Sequence, residues 1–418
     1  MGRPGTKLQF SMTHLSTELI HHPYQPPAGV EAPQAGVFKA STVLFPNVAA
    51  MRSMEWKNKT GYTYGLHGTP TSYLLEEKLC TIEGGKHCVL LPSGLAAIVC
   101  ASFALLKTGD EVLIPDNSYG PNKSLAEGEL AAMGVTHQLY DAMNPADLAA
   151  KISSKTKLVW LEAAGSITLE FPNLIEQVRI CKARGVTTAL DNTWGAGLAF
   201  KPFDLLPGSA EKLGVDITVH ALTKYPSGGG DVLMGSSITC DDALALKLKD
   251  NHMRFGWNVG MNDVELVLRS LPSMALRYAA HDTATRELAQ WCLARPEFAQ
   301  VLHPALPESP GHVHWRDVCG GSAASIPGPG TAAGLLSVIF KPAYSQAQVD
   351  AFCDALKFFG LGYSWGGPES LVVPYKLTAI RPGWPAHIAR GSIVRFSIGL
   401  EAVADLTADL AQALATLA

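Results

Sequence analysis

The feature that most constrains this chain is an alternation. From about residue 88 to residue 240, apolar runs long enough for single strands ("CVLLP", "EVLIPD", "KLVWLEA", "TTALDNT", "DITVHAL", "MGSSITC") are separated by stretches of helical period. A helix between two strands carries the chain back across the sheet, so the strands it joins run parallel. The pattern therefore predicts βαβ units around a mostly parallel sheet with helices on its faces. Of the intervening stretches, "LAAIVCASFALLK" is apolar enough to be a buried helix. In "NLIEQVRICKARG", Leu174, Ile175, Val178 and Cys181 share one face, with Asn173 placed to cap the start and Gly185 the end.

At 418 residues the chain exceeds what one core covers, so a second, smaller domain is expected. Past about residue 260 the texture changes. A Pro/Gly-rich stretch, "HPALPESPGHVHWRDVCGGSAASIPGPG", leads to a strand, "GLLSVIFK", a helix, "VDAFCDALKFFG", a loop, "YSWGGPES", a strand, "SIVRFSIGL", and a last helix, "AVADLTADLAQALATLA". That order suits a smaller α+β domain over residues 261–418, after a large α/β domain over 61–260. Residues 1–60 read as an extended arm of the kind that packs on a neighbouring subunit.

With 33 basic and 37 acidic residues and no long basic run, nucleic acid is not an expected partner. The eight cysteines stand singly without C-x-x-C spacing, which fits a reducing compartment. No run reaches the ~18 apolar residues of a membrane span. A cytoplasmic protein without a membrane partner is expected, and no metal-ligand spacing is present.

The chemistry is expected at strand ends. Lys224 closes the apolar run of "DITVHALTKYPSGGGD", and Asp191 closes that of "ALDNTWGAG". Open α/β sheets bind ligands at the carboxyl ends of their strands. A carboxylate that keeps a pyridine nitrogen protonated and an amine that holds an aldehyde as a Schiff base are what pyridoxal phosphate needs. A structural salt bridge or a solvated lysine is the plainer alternative. In "LLPSGLAAIVC" a helix begins directly after a strand, so the N–H groups of Gly94 and Leu95 could bind a phosphate, with the Thr223 hydroxyl beside them. Tyr119, in "PDNSYGPNK", could lay its ring on the pyridine or simply pack. Arg395 sits mid-strand among apolar neighbours and needs an anion, either a substrate α-carboxylate or a buried Asp or Glu. No G-x-G-x-x-G follows the first strand, which argues against a nicotinamide cofactor.

Together, "YTYGLHGTPTSYLLEEKLCTIEGG", "LPSGLAA", "NSYGP", "LEAAGSITLE", "DNTWGAG", "ALTKY", "HPALP", "YSWGGPESL" and "VRFSIGLE" resemble the fold-type I pyridoxal phosphate enzymes of cysteine and methionine metabolism over nearly the whole chain. "GSITLE" and "YSWGGPESL" look like the cystathionine β-lyase branch rather than the γ-synthase branch. The resemblance implies an aspartate-aminotransferase-like large domain and a pyridoxal 5'-phosphate cofactor. It also implies a carbon–sulfur lyase of methionine biosynthesis that converts L-cystathionine to homocysteine, pyruvate and ammonia by β-elimination. By the same resemblance Lys224 is the Schiff-base lysine and proton carrier, Asp191 pairs with the ring nitrogen, and Tyr119 stacks on the ring. Gly94, Leu95 and Thr223 bind the phosphate, with Tyr64 of a second subunit. Arg395 takes the substrate carboxylate, helped by Ser364 and Trp365. A site shared in this way implies a homo-oligomer, usually a dimer of dimers, acting on a small amino-acid thioether.

Departures from the family keep other readings open. Leu66 and His67 stand where two arginines are expected, and loss of the first removes a charge-assisted phosphate contact of about 1.5 to 3 kcal/mol. Ser124 and Met253 stand where residues handling the distal end of cystathionine are expected, with Lys123 and Arg254 alongside. "LLPGSAEK" looks like a surface insertion. The alternatives are a β-lyase for another cysteine S-conjugate, a γ-lyase on a methionine-like amino acid, or an inactive pyridoxal phosphate-binding protein. A γ-lyase normally carries a cysteine in the segment that here reads "LHGTPT", which argues for β-elimination.

Overall fold

The structure, a computed structural model, describes residues 15–20, 35–57, 59, 61–320 and 330–417. Much of the expected arm (1–14 and 21–34) and the "GSAASIPGP" portion of the Pro/Gly-rich stretch lie outside the described residues. The six strands expected between residues 88 and 240 all form: β1 His87–Leu91, β2 Glu111–Pro115, β4 Thr156–Glu162, β5 Thr187–Asp191, β6 Ile217–Ala221 and β7 Gly235–Thr239. A further strand, β3 Thr136–Tyr140, was not expected. It is an edge strand with a mostly polar, partly exposed sequence, so it lacks the apolar signature of its buried neighbours.

The sheet order is β1-β7-β6-β5-β4-β2-β3, in which β3, β2, β4, β5 and β6 are parallel and β7 runs antiparallel to both β6 and β1. Two antiparallel steps return β1 to the direction of β6. The helix Gly94–Leu105, which starts three residues after β1, therefore opens at the same edge at which β4, β5 and β6 end. This topology gathers Glu162, Asp191, the 222–224 turn and the start of that helix on one rim. The helix is held there by Ala97, Ile98, Cys100 and Ala101, all buried in the core of one sheet face. In the helix Leu174–Ala183, Leu174, Val178 and Cys181 are buried and Ile175 is partly so. The Asn173 side chain accepts the Glu176 N–H, and Gly185 takes the left-handed conformation (φ 63°) that ends the helix.

The second sheet has the order β10-β11-β12-β9-β8, built from β8 Phe298–Leu302, β9 Leu335–Phe340, β10 Gly360–Leu361, β11 Leu371–Tyr375 and β12 Ile393–Ser397. β9, β12 and the helices Gln346–Ala355 and Val403–Leu414 fall where expected. β8, β10 and β11 were not assigned from sequence; β11 carries Pro374, which argues against a strand when read locally. Residues 261–293, also unassigned, form one 33-residue helix with Pro272 inside it. It belongs to both cores. Val264, Leu271 and Met274 pack with the large sheet, and Leu288, Ala289 and Cys292 with the small one. The Pro/Gly-rich stretch also holds a helix, His312–Cys319. In the arm, a short helix Val48–Ser53 leaves Leu44, Val48 and Met51 at least half exposed.

Candidate active site

A cavity of about 580 Å³ opens at the carboxyl edge of the large sheet, between the two domains. The larger domain contributes Gly94, Leu95, Tyr119, Asp191, Thr223 and Lys224, and the smaller contributes Ser364, Trp365 and Arg395. Of the residues expected to hold cofactor or substrate, Tyr64 alone is elsewhere. It lies exposed just after the arm, bridged to the arm residue Thr42, with its hydroxyl accepting from Ser41.

Ser93 caps the helix Gly94–Leu105 by accepting the Ala96 N–H. The N–H groups of Gly94 and Leu95 have no acceptor among the described residues, so two donors at a helix start point into the cavity rim. Only a glycine fits at 94, because a Cβ there would stand 2.6 Å from that of Ala221. The Thr223 hydroxyl lies 3.3 to 3.4 Å from the backbone of Met234.

At the opposite side, Asp191 Oδ1 accepts both the N–H (3.0 Å) and the hydroxyl (2.6 Å) of Thr193. Its Oδ2 has no partner among the described residues and stays free for a ligand donor. Burial raises the Asp191 carboxyl, and the two Thr193 bonds oppose that shift. Thr193 was not singled out from sequence, although it sits inside the quoted "DNTWGAG".

Lys224 Nζ donates to Ser364 Oγ at 2.9 Å and lies 5.6 Å from the Trp365 ring centre. Among the described residues it forms no ion pair, with Asp191 or any other carboxylate, so the structural salt bridge is not what is observed. Burial and the nearby Arg395 charge bring its amine down to about 8, against a weaker opposing pull from Asp191. Arg395 is 4% exposed in β12. It donates to the carbonyls of Ser166 (3.0 Å) and Tyr363 (2.9 Å) and lies over the Tyr375 ring at 5.2 Å. No carboxylate pairs with it among the described residues. Tyr119 is 40% exposed toward the cavity, and its N–H donates to Glu162 Oε2 at 2.8 Å.

The departures lie outside the cavity lining. Leu66 and His67 are half-buried, with the His67 ring against Thr63, Trp56 and Tyr64; burial and the charge of Lys249 lower its imidazole. Ser124 is exposed, and Arg254 is mostly exposed and paired with Asp250. Lys123 is buried, contrary to a solvated face: its Nζ donates to the carbonyls of Asp116 and Ile380. The 205–212 segment is an exposed loop for most of its length. Among the described residues, no helix is long and apolar enough to cross a membrane, and no His/Cys/Asp/Glu group is arranged to hold a metal.

Two free helix-start donors, a free carboxylate oxygen and a buried amine on one rim fit the phosphate, ring nitrogen and aldehyde of one small molecule. With the sheet order, they define a pyridoxal phosphate enzyme of fold type I. Residues 16–415 match the family described as Cys/Met metabolism PLP-dependent enzyme, and the chain belongs to that family. It is 35% identical to a cystathionine β-lyase of Bordetella avium over 97% of this chain and 98% of the relative. It is 32% identical to the cystathionine β-lyase of Escherichia coli K12 over 95% of this chain and 97% of that one. Among solved structures it is similar to a cystathionine γ-synthase of Xanthomonas oryzae pv. oryzae in complex with aminoacrylate and cysteine. There the TM-score is 0.84 at 25% identity, covering 97% of this chain and 99% of that one.

Proposed function

We propose that this enzyme cleaves L-cystathionine by β-elimination, releasing homocysteine, pyruvate and ammonia. The observation that carries the reading is Arg395, a buried guanidinium with no carboxylate partner among the described residues, beside the depressed amine of Lys224. An amino acid brings the missing α-carboxylate and places its Cα near that amine.

When bound, the cofactor supplies an electron sink for the pair left at Cα. Gly94 and Leu95, with Thr223 at the rim, would hold its phosphate, and the free Oδ2 of Asp191 its ring nitrogen. Tyr119 would cover its ring. Arg395 orients the substrate so that the Cα–H faces Lys224. Lys224 takes that proton and delivers it to the sulfur as the Cβ–S bond breaks, and the enamine left behind hydrolyses to pyruvate and ammonia. Ser364 steadies the amine between these positions, with Trp365 beside it. Tyr64 belongs to this scheme as a phosphate ligand given to a second subunit, which makes the working unit at least a dimer. The exposed Leu44, Val48 and Met51 of the adjoining arm support that reading.

A second reading, a β-lyase for a cysteine S-conjugate with an apolar sulfur substituent, is favoured by the outer wall of the cavity, where Ile167, Tyr363, Tyr375 and Ile380 lie. The test is to supply cofactor-loaded protein with L-cystathionine and identify the products. Pyruvate with homocysteine is expected; 2-oxobutyrate with cysteine would overturn the β-elimination, and no turnover alongside cleavage of an S-aryl cysteine would favour the second reading.

A further inference from the structure

One buried acid at this rim has no part in the scheme above. Glu162 is the last residue of β4 and the register partner of Asp191, the last residue of β5. Paired residues on neighbouring parallel strands point to the same face, about 4.8 Å apart at Cα. Both carboxyls accordingly line the same cavity. Glu162 is 8% exposed and has no cation within ion-pair distance among the described residues. Its Oε2 accepts the N–H of Tyr119, the residue from which the helix Gly120–Leu125 starts and which has no side-chain cap of its own.

We propose that Glu162 is a positioning residue of this site: it tethers Tyr119 over the cofactor seat, and it shares one negative charge with Asp191 instead of adding a second. The proposal rests on the placement of Tyr119 against the cofactor.

The titratable groups that face Glu162 are Asp191 from β5, Tyr119 at its own hydrogen bond, Lys123 from the helix that Tyr119 starts, and Tyr140 at the end of β3, whose hydroxyl stays neutral. Lys123 donates to two carbonyls and keeps its charge, which draws the Glu162 carboxyl down, but less than burial and Asp191 push it up. Two carboxylates buried side by side cannot both ionise cheaply. Asp191 is held by two donors from Thr193 and faces His220 and Lys224, whereas Glu162 has one backbone donor. Burial first and Asp191 second push the Glu162 carboxyl well up. The pair titrates as a unit, with the proton residing on Glu162 and the charge on Asp191, where a protonated pyridine nitrogen uses it. A neutral acid still accepts the Tyr119 N–H.

The test uses the holoenzyme and the Glu162→Gln, Glu162→Ala and Glu162→Asp variants. It reads the dissociation constant of the cofactor, the pH midpoint of the visible absorbance of the lysine-bound cofactor, and kcat and KM separately. Gln keeps a neutral acceptor, so E162Q should keep the wild-type midpoint and cofactor affinity. E162A leaves the Tyr119 N–H without an acceptor and should weaken cofactor binding about tenfold, with kcat falling more than KM changes. E162D, one methylene short, should move in the same direction, and it serves if the alanine variant does not fold. A midpoint in E162Q displaced by a full unit would overturn the shared charge. Wild-type cofactor affinity in E162A or E162D would overturn the tether. Tyr119→Ala separates the two levels: if it leaves cofactor affinity unchanged, the placement of Tyr119 itself fails. If it weakens binding while the Glu162 variants do not, only the present inference fails.

Discussion

Two arginines of the smaller domain, Arg381 and Arg395, are each 4% exposed against the larger one, yet they are surrounded differently. Arg381 donates to Asp116 at 2.8 Å and to Glu170 at 2.6 Å. Glu170, the acid of "GSITLE", also accepts from Thr168, Asn117 and His387. Arg395 has two backbone carbonyls and a tyrosine ring, and no acid among the described residues. A buried cation without a counter-ion is costly unless something brings one. The first arginine therefore completes the fold by fastening the 377–388 segment to the "GSITLE" loop. The second has no acid among the described residues and lines the cavity.

That contrast can be broken by substitution. Arg381→Ala leaves Asp116 and Glu170 buried without their cation and should destabilise the protein by about 3 to 5 kcal/mol in a urea titration. Arg395→Ala removes no protein ion pair. It should change stability far less while lowering kcat/KM by about 10- to 100-fold, mostly through KM. Equal stability losses in the two variants would erase the distinction.

Acid provides a milder probe. Hydrogen bonds from His387 and Thr168 and the charge of Arg381 outweigh burial and hold the Glu170 carboxyl at about 2, below its ordinary 4.5. A depressed carboxylate stabilises the folded state above its unfolded value. That contribution is complete above about pH 4.5 and fades as pH falls toward 2. Glu170→Gln should therefore flatten the acid limb of a stability-versus-pH curve in that window, and an unchanged limb would show that the Glu170 carboxyl is not held down in the folded state.

The smallest effect concerns Lys224. Its amine lies near pH 8, partly because Arg395 is close. Only the neutral amine captures the cofactor aldehyde, so the capture rate of cofactor-free protein should rise about tenfold between pH 7 and pH 9. Arg395→Ala should move that midpoint upward by removing the cation, and Arg381→Ala should leave it in place. A midpoint unmoved in the Arg395 variant would mean that burial alone sets the amine.

Much of the cavity lining was legible because it sits at the ends of regular elements. Lys224 and Asp191 were found by their position at strand ends, and Gly94 and Leu95 by a strand that runs straight into a helix. Arg395 was found by its apolar strand neighbours. Thr193, Glu162 and Glu170 lay inside stretches already singled out, but nothing local distinguishes a side chain that braces another from one that faces solvent. Lys123 is the counterexample, since a charged residue on a short helix reads as solvated and is instead buried on two carbonyls.

By itself, the sequence determined the strands with an apolar run, β1, β2, β4 to β7, β9 and β12, but not β3, β8, β10, β11 or the helix over 261–293. It also determined where a capped helix begins and ends, and which residue types meet the edge of the sheet. Period and residue type are local properties, and they suffice for those. Tertiary structure alone decided that Arg381 meets Glu170 across 211 residues and Asp116 across 265, that Arg395 meets no acid among the described residues, and that Glu162 stands beside Asp191. The charge of each of these groups depends on what lies within a few ångströms in space, and spacing along the chain does not encode that.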